Sequence, residues 1–322
     1  MAELQKQKVL VSVDTEGPDG ALPVERMIYS RTADGKEYGI NFLMDYFDKE
    51  GVRALFFVDI PEIVDHGEDK ITKVMLDIAS RGHDVGVHVH PDHMSDINRR
   101  YLWQYSYDEQ YEIIARSTEF YEKVLKKSPL SFRAGRYGAN NDTIEVLKKL
   151  GYLYDMSHFY ASRYCLIDPP VTWNRVVRYG NSQLKEVPVT TLRSFSTPFY
   201  QRNDQIDSGL IPGEFRRYMK EIMKTGSVDV VSMFFHSFQF IDWRVNPDNP
   251  KFSKGKYNRV IANMKHLKEL GVDFIAEKDL AGLVENSDDK LGPVDVSKGL
   301  SAYYYFVIRA AGVLKSKLIR NI

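Results

Sequence analysis

Asp14 and Glu16 stand one residue apart in Val13-Asp14-Thr15-Glu16-Gly17-Pro18, directly behind the apolar run Val9-Leu10-Val11-Ser12-Val13. If that run is a strand, its side chains alternate and both carboxylates point to one side. Two carboxylates side by side repel unless a cation lies between them or one carries a proton. A turn capped by Asp-Thr-Glu-Gly is the plain structural alternative. The segment Gly82-His83-Asp84-Val85-Gly86-Val87-His88-Val89-His90-Pro91-Asp92-His93 weakens that alternative, because four of the chain's eight histidines fall within 83–93. His88 and His90 share one strand face and converge, as nitrogen ligands of a metal such as zinc must. Asp92 and His93 lie just beyond Pro91.

Two further runs end in groups able to do chemistry. Phe132-Arg133-Ala134-Gly135-Arg136-Tyr137-Gly138 puts an arginine at a strand end ahead of a glycine-rich loop. There a guanidinium can pair with an active-site carboxylate and hold it ionised. Phe234-Phe235-His236-Ser237-Phe238 ends the apolar stretch Val228 to Phe235 with an imidazole, placed where a general acid could reach a substrate. A surface ion pair and a packed core histidine are the structural alternatives for these two.

The elements that must carry these groups alternate strand and helix. Strands are expected at 9–13, 54–58, 85–90, around 132, at 228–235 and at 272–276, and helices at 39–50, 71–81, 108–127, 141–150 and 257–270. That order predicts an α/β fold with a parallel sheet, and the number of units favours a barrel. Parallel barrels collect their chemistry at the C-terminal ends of the strands, where all four motifs fall. An insertion at about 162–213, with prolines at 169, 170, 188, 198 and 212, is expected to form loops and hairpins on one rim. The barrel domain is expected over 7–285, followed at 286–322 by a linker and an amphipathic tail.

Composition excludes several classes. The 322 residues carry 44 basic and 44 acidic side chains, 43% hydrophobic residues, 20 Tyr, 17 Phe and one Cys. Such a chain has apolar surface enough to offset its conformational entropy, so general disorder is excluded. A zero balance gives no sign of nucleic-acid binding. Cys165 alone supports neither an internal disulfide nor a four-cysteine zinc site. A polar start and the lack of a long uncharged apolar stretch predict a cytoplasmic protein without a membrane span.

Together the motifs resemble the polysaccharide deacetylase family, the nodulation-type homology domain of carbohydrate esterase family four, over roughly residues 7 to 285. Val13 to Gly17 resembles the first motif, Gly51-Val52-Arg53-Ala54-Leu55-Phe56-Phe57-Val58 the second-strand signature, and Gly82 to His90 the histidine motif. Phe132 to Gly138 resembles the arginine motif, Gly151-Tyr152-Leu153-Tyr154-Asp155-Met156-Ser157 the segment after the next helix, and Phe235-His236-Ser237 the final histidine motif. The resemblance implies an incomplete, roughly seven-stranded β/α barrel and metal-assisted hydrolysis of an N-acetyl group. It makes Asp14 the general base, Glu16 and His88 metal ligands, Arg133 the group that orients Asp14, and His236 the general acid. Two departures stand out. The common adjacent aspartates are replaced by Asp14-Thr15-Glu16, and the position four beyond His88, where the family's second histidine falls, is Asp92. His90 is the expected second imidazole because it shares the strand face, with His93 and Asp92 as alternatives.

The expected cofactor is one divalent ion, zinc foremost, and the expected substrate an acetamido sugar on a nucleotide- or lipid-linked precursor of a surface polysaccharide. A barrel amidase acting on a cyclic amide or ureide, and a non-catalytic sugar-binding protein of the same fold, are the competing expectations. An amidohydrolase-type metal barrel also uses His-x-His, but on its first strand, where this chain has a carboxylate pair. In the tail, Val307, Ala311, Leu314, Leu318 and Ile322 share one helical face, and no acidic residue occurs from Ser301 onward. Such a helix can lie on an anionic membrane. Packing on the barrel or on another subunit is the alternative.

Overall fold

β1 (Lys8–Thr15), β2 (Leu55–Asp59), β3 (Asp84–Val89), β4 (Ser131–Ala134) and β5 (Tyr154–Asp155) lie side by side in chain order, each parallel to the next. Helices Ile40–Glu50, Glu68–Ser80, Tyr107–Leu125 and Asn141–Leu150 form the crossovers, close to the expected spans. The computed structural model describes residues 6–17, 22–168, 173–243, 249–283 and 293–320, with side chains as far as 311.

The sheet continues through β6 (Val177–Arg178) and β7 (Lys185–Glu186), then on the other side of β1 through β10 (Val230–His236), in the order β10-β1-β2-β3-β4-β5-β7-β6. Between them in sequence, β8 (Thr191–Ser196) and β9 (Gln201–Gln205) form an antiparallel hairpin. β11 (Asp273–Ile275) runs beside the first residues of β1, and β12 (Val294–Asp295) pairs with β8. Seven strands from β10 to β7 are parallel, and β6 turns back antiparallel at the end. The ends of the curled sheet are joined by Asp229, which accepts the Val176 N–H at 2.8 Å and pairs with Arg175 at 2.6 Å. This is the incomplete β/α barrel the resemblance implies.

Alternation along the strands divides the core in two. Val9, Val11, Val13, Phe56, Val58, Val85, Val87, Phe132, Val231, Met233 and Phe235 belong to the cluster packed under the helices. Leu10, Leu55, Phe57, Val230 and Ile275 form a second cluster inside the curl. Farther along the same inner face come Ser12, Asp14, Asp59, His88, Arg133 and His236, so the period of two that fills the barrel also aims the functional groups inward.

Two expectations need correction. Part of the 162–213 insertion is not rim decoration, because β6 and β7 extend the main sheet. Strands of two residues are too short to show alternation. The expected linker is strand in part: Val294 and Val296 are buried and β12 pairs with β8, while 284–292 lie outside the described residues. The C-terminal helix, Leu300–Arg320, seats Phe306 on the Phe195 ring at 4.2 Å and joins Arg309 to Asp204 and Glu214 at 3.0 and 2.8 Å. Val307, on the expected apolar face, is 62% exposed, and Leu314, Leu318 and Ile322 lie beyond the described side chains. No helix among the described residues is long and apolar enough to cross a membrane.

Candidate active site

Among the described residues Arg133 is the largest fully buried side chain. Its Nη1 donates to Asp14 Oδ1 at 2.5 Å and its Nη2 to Ser12 Oγ at 3.0 Å, while the guanidinium lies 4.2 Å from the Phe57 ring centroid. One arginine thus fixes two inward residues of β1 from across the curl, and an aromatic face supports the charge. Asp14 Oδ2, the oxygen Arg133 leaves free, faces His88 Nε2 at 3.8 Å.

His88 Nδ1 is 2.8 Å from the Arg133 carbonyl oxygen. A carbonyl only accepts, so Nδ1 carries the hydrogen, and in a neutral ring Nε2 presents its lone pair. That lone pair points at Glu16 Oε2, 3.1 Å away, and His90 Nε2 reaches the same oxygen at 2.7 Å. Two imidazole nitrogens on one carboxylate oxygen require protons on the rings or a cation among the three groups. Burial would raise the Glu16 carboxyl, yet His90 and His88 hold it well below its usual range. For His88, Asp14 and Glu16 outweigh burial and raise the imidazole, whereas burial wins at His90 and lowers it. Glu16, His88 and His90 each offer a donor atom within 4.8 Å of the others. One carboxylate and two imidazoles, one of them orientated by a backbone carbonyl, fit a divalent ion.

Backbone geometry serves this arrangement closely. A Cβ on Gly135 would lie 2.5 Å from the His90 ring, so only glycine leaves the imidazole its place. Ser237 donates from its N–H to the Asp14 carbonyl at 2.9 Å and from Oγ to the Glu16 carbonyl at 2.9 Å, tying the final motif to the first. His236 lies 3.7 Å from Glu16 Oε1 and is 31% exposed, the most open group of the constellation.

The structure therefore brings Asp14, Glu16, His88, His90, Arg133 and His236 together. It turns the two alternatives for the second imidazole elsewhere: Asp92 pairs with Arg136 at 2.9 Å, and His93 meets Asp65 at 2.5 Å and Asp59 at 3.6 Å. Three neighbours escaped the motif reading. Asp59 and Glu62 are fully buried behind Gly17 and His90, and Asp59 continues the alternation of Leu55 and Phe57, which could have revealed it. Asp207, bridged to β10 at Phe234, is raised by burial against the lowering effect of His236, and no motif marks it. Tyr137 adopts a left-handed backbone at φ 57° and buries an unpartnered hydroxyl among Phe159 and Phe234. Such strain commonly persists at functional sites.

Residues 24–154 match the family model for polysaccharide deacetylase, a span that takes in the His88 and Arg133 motifs. No curated protein matches the chain. Among solved structures the chain is similar to a Mycobacterium smegmatis protein classed as a polysaccharide deacetylase, with a TM-score of 0.53, 18% identity, and 88% of this chain and 91% of that one covered. It is also similar to a CE4 family pseudoenzyme from Bacillus anthracis, with a TM-score of 0.46, 12% identity and coverage of 91% and 70%. A peptidoglycan deacetylase from Bacillus subtilis aligns with a TM-score of 0.42, 12% identity and coverage of 87% and 93%. Over residues 24–154 the chain is thus similar to the polysaccharide deacetylase family, and its incomplete β/α barrel is the fold that the resemblance implies.

Proposed function

We propose that the protein is a metal-dependent hydrolase that removes the N-acetyl group from an acetamido sugar. In this proposal zinc is the ion, and the substrate is a cytoplasmic nucleotide- or lipid-linked precursor of a surface polysaccharide. The observation that carries it is Asp14 held by the buried Arg133, with one oxygen free beside Glu16, His88 and His90. Bound at those three residues, a divalent ion would supply Lewis acidity and a water of lowered pKa. Asp14 Oδ2 takes the proton of the attacking water, and Arg133 keeps the carboxylate in position for it. His236, on the open side, gives a proton to the leaving nitrogen, so the products are acetate and a free amine.

A cleft of about 560 Å³ supports a carrier-linked substrate. Asp207 lines it, close to His236, with Arg202 and Arg309, which pair with Asp204 and Glu214, and with Arg259, whose guanidinium suits a phosphate of a nucleotide or lipid carrier. The lipid version includes peripheral contact of the C-terminal helix with an anionic membrane, a reading favoured by exposed Leu300, Tyr303, Tyr304 and Val307. The test is acetate release from acetamido sugar nucleotides and their lipid-linked counterparts by zinc-loaded and chelator-treated protein. Zinc-dependent acetate with an equal amount of amine is expected. A zinc-loaded protein that releases none from any of them contradicts the proposal.

A further inference from the structure

Beside Glu16, His88 and His90 lies a second group of carboxylates and imidazole that the proposed reaction does not use. Asp59 Oδ1 accepts the His90 N–H at 3.0 Å, and Glu62 Oε1 accepts the Gly17 N–H at 2.5 Å. Their other oxygens, Asp59 Oδ2 and Glu62 Oε2, are buried and have no hydrogen-bond partner. Both residues are 0% exposed. His93 completes the group, with its Nε2 3.6 Å from Asp59 Oδ2 and its Nδ1 2.5 Å from the Asp65 carboxylate. One atom from each of Asp59, Glu62 and His93 lies within 4.8 Å of the other two.

Neither orphaned oxygen is hydrogen-bonded: His93 Nε2 stands 3.6 Å from Asp59 Oδ2, and His66 Nε2 4.0 Å from Glu62 Oε2. A buried polar atom without a partner costs its full desolvation, and a cation between the two carboxylates and His93 would satisfy both oxygens. Asp65 orientates His93 so that Nδ1 carries the hydrogen and Nε2 turns its lone pair toward the two carboxylates, the arrangement common among imidazoles that hold a metal. The 3.6 Å between His93 Nε2 and Asp59 Oδ2 is too long for a hydrogen bond. It is close to the roughly 3.4 Å that separates two donors of one tetrahedral ion bound at about 2.1 Å.

We propose that Asp59, Glu62 and His93 form a second divalent-cation site, distinct from Glu16, His88 and His90. Two carboxylates and one imidazole suit a first-row transition ion such as zinc or manganese. The outer oxygens of Asp59 and Glu62 hold the backbone of His90 and of Gly17, the residue after Glu16. An ion there braces two of the three ligands of the first site from behind.

The test counts metal in the full chain after chelation, reloading with zinc and desalting, and needs no substrate. Wild-type protein should hold two ions. Glu62→Gln and His93→Ala should each hold one, and His88→Ala should lose the other one. Added zinc should still raise the melting temperature of His88→Ala, a readout that stands even if Glu62→Gln fails to fold. One ion in the wild type, lost in His88→Ala but kept in Glu62→Gln and His93→Ala, overturns the second site and leaves the first intact. One ion lost only in Glu62→Gln and His93→Ala overturns the first site instead. A His88→Ala variant that zinc does not stabilise also counts against the second site.

Discussion

The inner face of the sheet has two ends built by the same strands. At one end Leu10, Leu55, Val230 and Ile275 pack as hydrocarbon. At the other, Asp14, His88, Arg133 and His236 meet as charges and imidazoles. On β1 only three residues separate Leu10 from Asp14, four steps and about 13 Å of strand. The outer face makes no such change, since Val9, Val11 and Val13 are all 0% exposed beneath the helices. Alternation chooses the face, and position along the strand chooses the chemistry. Polar groups gather where the strands end because loops there can supply partners, such as the Ser237 contacts that pin β1 to β10.

Substitutions at the two ends should fail in different ways. Arg133→Ala leaves Asp14 buried without its cation, and loss of one partner of a buried pair costs about 3–5 kcal/mol. Acetate release should vanish as well, and Arg133→Lys should restore little, since an ammonium cannot reach both Asp14 and Ser12 in the same planar geometry. Denaturant unfolding and turnover check both; near-normal stability would show that the ion pair is not structural. At the apolar end, Leu10→Ala should cost about 2–5 kcal/mol. Its folded fraction should keep normal metal content and turnover, and a specific loss of activity would break the division between the ends. Gly135→Ala should have the smallest effect on folding but displace the His90 ring. Metal affinity should then fall about 10-fold or more, as read by competition with a chelator, and unchanged affinity would mean that His90 is not a ligand.

The strands bearing Asp14, His88 and His236 were legible in the sequence because each is a run of apolar residues long enough to fix its face, whereas the strand bearing Arg133, only Ser131–Ala134, showed as no more than an extended segment around 132. β5 and β7 were not, because two residues show no alternation. Asp59 was missed because the second strand was read as ending at Val58, although the strand runs one residue further and turns that carboxylate inward. The order His90, Pro91, Asp92, His93 could not say which group joins Glu16. That depends on the 3-10 turn Pro91–His93, which carries Asp92 toward Arg136 and His93 toward Asp59 and Asp65. Asp207 belongs to the site through a bridge to β10, a contact between segments far apart in the chain.

Asp14→Asn tests most directly whether the rim performs base-assisted hydrolysis, because it keeps the shape of the side chain and removes only its capacity to take a proton. Zinc content and acetate release should be measured on the same sample. If the proposed site is right, the variant should retain zinc while turnover falls about 100-fold or more. Near-normal acetate release with zinc in place would contradict the role of Asp14 and the mechanism built on it.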